Sequence, residues 1–142
     1  MLASVEARLE AEVEDFHGRV SPARDFFALI ARKDLPQHDL VAYVIPVGLQ
    51  GGATDAASGL FRQEVTETVG VITMLQNRGR GAKALLRLPN LIDDVTRAIA
   101  GWGPDTAPGV FSLRRGALLR SDNSLVAYQL DFSIQDQLRI AS

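Results

Sequence analysis

Residues Leu60 to Gln76 read LFRQEVTETVGVITMLQ, and the rest of the chain is best understood outward from them. In the first half, polar and apolar residues alternate around Arg62, Glu64, Val65 and Glu67. In the second half, Val69, Val71, Ile72, Met74 and Leu75 are apolar on both alternating faces. The first pattern belongs to a strand with one wet face, the second to a strand covered on both sides. Unbroken, such a strand reaches roughly 55 Å, beyond an ordinary strand. It must bend, with Gly70 the natural place for a bulge, or project beyond its domain. A buried half joined to a projecting polar half implies a second subunit. This reading puts Arg62, Gln63, Glu64, Val65 and Glu67 at a subunit interface.

Upstream, Leu2, Val5, Leu9 and Val13 fall at helical spacing with acids off the stripe, which predicts a short amphipathic helix fading at His17-Gly18. Ser21-Pro22 reads as an N-cap and a first-turn proline of a second helix, running to about Lys33 and stopped by Leu35-Pro36. That helix is expected to bury some of Phe26, Phe27, Leu29 and Ile30. Leu40 to Val47 predicts a strand covered on both faces whose regular pairing ends at Pro46. Residues 48–59, with Gly51-Gly52, Thr54, Asp55 and Ser58, lack a period and are expected to form a flexible loop.

Downstream, Asn77 to Gly81 reads as a turn into a long helix carrying the stripe Leu85, Leu88, Ile92, Val95, Ile99 and Trp102. Pro89 should kink or split it, and Gly101 with Gly103-Pro104 should end it. Val110 to Leu113 and Ala117 to Arg120 read as short strands about a bend at Arg114-Arg115-Gly116. Ser121 to Ser124 suits a turn. Val126, Tyr128, Leu130, Phe132 and Ile134 then alternate with Ala127, Gln129, Asp131, Ser133 and Gln135, an antiparallel strand with one wet face. The fold class is therefore α+β: one domain, residues 1–142, with a mixed, mainly antiparallel sheet and helices packed against it. Trp102, Tyr128 and Phe132 are the expected core anchors, Trp102→Ala being expected to cost about 3–5 kcal/mol.

Composition narrows the function. The chain has 142 residues, 46% hydrophobic and 23% charged, enough for a self-sufficient core and too apolar for disorder. Fifteen Lys+Arg stand against 17 Asp+Glu, without the basic excess of a dedicated nucleic-acid binder. With no cysteine, disulfides, thiolate metal sites and cysteine nucleophiles are excluded. His17 and His38 cannot build a three-histidine zinc site, so no metal and no cofactor is expected. No apolar run is long enough to cross a membrane as a helix. The early acids of Met1 to Glu6 do not suit a signal peptide, and intracellular synthesis is expected.

No catalytic constellation emerges. Asp93 and Asp94 point about 100° apart on a helix and, opposite Arg97, read as a solvated face. Gln50-Gly51-Gly52 has no phosphate-loop context, and Ser21, Ser58 and Ser124 sit in turns or caps. Arg78, Arg80, Lys83 and Arg87 cluster at a helix start, where exposed amides favour anions. They suit either phosphate, such as DNA passing through a channel, or a solvated turn or salt bridges to a neighbouring subunit.

Ala42-Tyr43-Val44-Ile45-Pro46 and its Gly-rich sequel resemble the first strand of phage tail terminator proteins, including Mu-like prophage tail proteins. Arg62 to Glu67 with Val71 to Asn77 resemble their long second strand. Gly101-Trp102-Gly103-Pro104 is similar to their helix-ending G-W-x-P, and Tyr128-Gln129-Leu130-Asp131-Phe132 to their last strand. Pro89 and Arg114-Arg115 depart from the pattern. The resemblance runs from about Asp15 to Ile134 and implies a non-enzymatic virion protein. Its expected partners are copies of itself in a hexameric ring, the tail tube protein and the head–tail connector. The ring would cap the tube at the neck end of the tail, stop its polymerisation and join it to the head. A gene transfer agent would use the same part. The alternatives are a head-completion protein, or an enzyme or small ligand-binding module with an unrecognised site.

Overall fold

The computed structural model describes residues 1–57, 59–77 and 83–141. Among these the chain forms α1 (Leu2–Glu12), a 3-10 turn (Glu14–Phe16), β1 (Val20–Pro22), α2 (Ala23–Arg32), β2 (Leu40–Asp55), β3 (Leu60–Gln76), α3 (Lys83–Ile99), β4 (Ser112–Ser121) and β5 (Leu125–Ala141). The strands build one sheet in the order β1-β2-β3-β5-β4. Only β1 and β2 run parallel; every other pair is antiparallel, so the chain is α+β as expected.

The inner half of the sheet is covered on both faces, which is why its sequence is apolar at consecutive positions. On one face Val5 and Leu9 of α1, Phe16, and Leu91, Val95 and Ile99 of α3 close over Val44, Val71, Leu130 and Phe132. On the other face Leu29 of α2 packs with Val41, Tyr43, Ile72, Met74 and Ala127. β3 is the long strand that its sequence predicts, in unbroken register with β5 from Leu60 opposite Ala141 to Gln76 opposite Leu125.

The bulge lies elsewhere than expected. Pro46 opposes Val69 and Gly48 opposes Thr68, so the extra residue is Val47, in β2. Gly70 makes room for it: a Cβ there would stand 2.8 Å from Val47 Cγ2. Nor does Pro46 end the pairing. β1 reaches only as far as Val44, so Pro46 lies where β2 has become an edge and its missing N–H costs the ladder nothing. β2 therefore continues to Asp55, through most of the segment expected to be a flexible loop.

Four further expectations change. Pro22 precedes α2 as its N-cap residue and Ser21 belongs to β1, so the proline is not in the first turn. In α3 the buried positions are Ala84, Leu88, Leu91, Val95, Ala98 and Ile99, while Leu85 is 41% exposed, so the stripe is rotated from the one expected. Pro89 sits inside α3 without dividing it, on the exposed side, where the unpaired carbonyl four residues back meets water. Arg114 and Leu119 are bulges within a single β4, where a bend between two strands is expected.

Beyond α3, Gly101 takes φ +81° and the chain turns back on itself. Gly101 N–H donates to the Phe111 carbonyl at 2.8 Å, and Phe111 N–H to the Trp102 carbonyl at 2.7 Å. The Trp102 ring stacks on Phe111 at 6.0 Å, and the Arg8 guanidinium lies 5.3 Å from its centroid. A Cβ on Gly103 would fall 2.1 Å from the Gly109 carbonyl oxygen, so only glycine fits. Gly-Trp-Gly-Pro thus clamps a loop against the core margin. Phe132 is fully buried, whereas Trp102 and Tyr128 are half-buried against the same cluster.

Asp122 ties the β4–β5 turn. Its carboxylate accepts from Arg120 Nε at 2.6 Å and from the Ser124 and Leu125 amides at 2.8 and 2.9 Å. These bonds, the Arg120 one foremost, lower its pKa from 3.8 to about 2. A folded pKa below the unfolded one means that the turn is fully held above about 4 and loosens as pH falls through about 2. A carboxyl carbon NMR titration of Asp122 is expected to show this low midpoint. A midpoint at 3.8 would refute the bonding.

Candidate functional site

Past Val69 and Ile134 the helices no longer cover the sheet, and β2, β3 and β5 run on together as a three-stranded arm. Its strands are residues 48–55, 60–68 and 135–141, and its nine-residue central run gives it a reach of about 30 Å. β3 is paired on both sides along most of the arm, with Glu67 opposite Leu49 and Ile134; a second register shift in β2, between Gly51 and Thr54, falls opposite Glu64. The backbone of Arg62 to Glu67 thus lies between two strands of its own chain, and a contact made there is made by side chains. The open backbone edges of the arm, among the described residues, belong to β2 and β5.

Strand alternation sorts the arm into two unlike faces. Residues in line with the helix-covered Val69 are Phe61, Gln63, Val65 and Glu67. Opposite them on that face stand Leu49 of β2 and Asp136, Leu138 and Ile140 of β5. Leu49, Leu138 and Ile140 are 73%, 41% and 50% exposed. The other face carries Arg62, Glu64, Thr66 and Thr68, with Asp55 and Arg139 flanking Arg62 and Gln137 beside Glu64. Glu64 and Glu67, grouped by sequence, are thus on opposite faces. The arm is apolar on the core side of the sheet and polar on the other.

Leu49, Leu138 and Ile140 were not among the residues that the sequence singled out. The signal existed in β5: the even-numbered series from Val126 to Ile134 continues through Asp136 to Leu138 and Ile140. Leu49 lay in an aperiodic, glycine-rich stretch and gave none.

Arg78 and Arg80 lie outside the described residues, and of Lys83 only its place as the first residue of α3 is described. Arg87 reaches Asp15 at 3.7 Å, both half-exposed, so it forms a weak ion pair within the chain. Asp93 pairs with Arg97 at 2.8 Å on the exposed face of α3.

A cleft of about 530 Å³ opens between α2, residues 34–38 and β2, lined by Asp25, Arg32, His38 and Tyr43 among others. Burial, and secondarily Asp25, raises the Tyr43 pKa and keeps its hydroxyl protonated. Asp25, His38 and Tyr43 share the cleft without a hydrogen bond between them. Among the described residues no group of three or more His, Asp or Glu side chains is placed to hold a metal ion. No described helix is long and apolar enough to cross a membrane.

Exposed apolar residues gathered on one face of an extended arm are the kind of surface that marks contacts between proteins. The sequence matches the family described as phage tail terminator protein over residues 2–142, essentially its whole length. The chain belongs to the phage tail terminator family. Comparison with curated proteins finds no significant match. As a member of this family it is a structural component of the phage tail and works in contact with other virion proteins.

Proposed function

We propose that this tail terminator acts without catalysis, as a homo-oligomeric ring, a hexamer, seated on the neck end of the tail tube. The ring ends tube polymerisation and presents the surface on which the head connector docks. Subunits meet tube and connector in the cytoplasm of the bacterial host, in a phage, a prophage-derived tail or a gene transfer agent. The observation that carries this reading is the amphipathic arm, on which Leu49, Leu138 and Ile140 stay exposed among the described residues. Within the arm, Gln63, Val65 and Glu67 face the apolar side that a neighbour would cover, with Arg62 and Glu64 behind them. Electron microscopy and mass measurement of the protein, alone and with tail tubes, test the proposal. Six-membered rings at tube ends and tubes that stop growing are expected. A monomer with and without tubes, or tubes of unchanged growth, would overturn it.

Arg78 and Arg80, with Lys83 at the start of α3, are proposed to face the lumen or the tube, touching passing DNA weakly through phosphate. Changing Arg78 and Arg80 together to Gln is expected to leave stability and ring size unchanged while lowering the yield of functional particles. Full particle yield from the double variant would reduce the segment to a solvated one.

A further inference from the structure

The arm has a complementary surface on the same molecule, the outer edge strand β4. This strand carries Arg114, Arg115 and Arg120 and no acid. Only Arg120 has an ion-pair partner among the described residues, Asp122. Leu113, next to Arg114, and Leu118 and Leu119, between Arg115 and Arg120, are 46%, 52% and 49% exposed; Leu113 and Leu118 face the helix-covered side and Arg115, opposite Asp131, the other. The arm has the opposite balance, with Asp55, Glu64, Glu67 and Asp136 against Arg62 and Arg139. Glu67 and Asp136 lie on its apolar face and make no ion pair within the described chain. Each surface therefore combines exposed apolar side chains with charge that no ion pair among the described residues neutralises, Glu67 and Asp136 on the arm and Arg114 and Arg115 along the β4 edge, and the two charges are opposite.

The far, apolar end of the arm cannot reach β4 of its own chain, although Thr66 and Gln135 at its foot line one cleft with Arg114. β5 carries both, end to end: β4 pairs with it from Val126 to Ser133, and the arm begins beyond Ser133. The sheet keeps Leu138 and Ile140, further along β5, away from β4. The bulges at Arg114 and Leu119 break up the free edge of β4, which disfavours simple strand addition and leaves side-chain docking as what this edge offers.

We propose that the apolar face of the arm docks on β4 of a neighbouring copy, with Glu67 and Asp136 against that copy's Arg114 and Arg115. Because donor and acceptor surfaces differ, the contact is head-to-tail, the kind that generates rings when its rotation closes. This rests on the proposed ring and names the two surfaces that build it.

A charge-swap series tests it by mass in solution. Glu67→Arg with Asp136→Arg, or Arg114→Glu with Arg115→Glu, is expected to weaken association tenfold or more, as like charges then face each other. All four changes in one chain restore opposite charge at every interface and are expected to recover it. Losses that simply add in the fourfold variant, or rings indifferent to the β4 pair, would overturn the proposal. The natural absence of cysteine supplies a second measurement that keeps the charges native. Leu138→Cys and Leu113→Cys copies, mixed and treated with a bismaleimide, should give a crosslinked dimer that neither gives alone. Wild-type oligomers without that crosslink would remove the arm–β4 contact and leave the ring standing. A wild type that never associates would remove the ring itself.

Discussion

Phe132→Ala is expected to lower the unfolding free energy by about 3–5 kcal/mol, a large share of the ~5–15 kcal/mol typical of a domain. Phe132 is fully buried on the helix-covered face, between Val69 of β3 and Leu113 of β4 in the sheet. Truncation loses the transfer free energy of the ring and leaves a hole that two hydrogen-bonded neighbours cannot collapse into. Denaturant unfolding should show the midpoint falling at unchanged slope. A loss under about 1 kcal/mol would mean that the site refills. Trp102→Ala is expected to cost less, about 2 kcal/mol, because the indole is half-buried and already partly hydrated. That revises the sequence-based figure, which treats Trp102 as a fully enclosed anchor. What the tryptophan does is hold the 101–111 clamp, through its stack on Phe111 and the Arg8 guanidinium over its ring.

The second large effect falls on assembly. Leu138→Lys with Ile140→Lys is expected to leave the melting temperature nearly unchanged and to abolish self-association, by a hundredfold or more in affinity. In the isolated chain both side chains are about half in water, so lysine stems can lie along the same surface. In an interface the same positions lose about 1 kcal/mol each of further apolar burial, roughly half the value for a fully exposed side chain, and force two unpaired charges out of water. Sedimentation of wild type and variant side by side reads the result. Rings unchanged in the double lysine variant would show that the apolar face of the arm is not where subunits meet.

The inner half of the fold was open to reading because its burial is dictated by periodicity. Val5 and Leu9 at helical spacing, and Val69, Val71 and Phe132 at strand spacing, report which side of each element meets the core. The arm was half legible. Its central strand shows alternation, but the β2 strand is glycine-rich and pairs through backbone that has no side-chain signature. The β5 strand carries its alternation on past Gln135, through Asp136 to Leu138 and Ile140. At α3 the error was one of phase: Leu85 and Ile92 are as apolar as Ala84 and Leu91, and only packing against α1 and the sheet decides which pair is inside.

The sequence by itself determined that the chain is α+β, that β3 outruns its core, and that no cysteine or three-histidine chemistry is available. It did so because composition and period are local quantities. The tertiary structure decided three other things. It put the bulge at Val47 and not Gly70, paired β3 on both sides so that the arm keeps no open backbone of its own at the centre, and sorted Glu64 and Glu67 to opposite faces. Each depends on the register between strands far apart in the chain. A register shift of one residue turns every side chain to the other face, and nothing along a single strand records it.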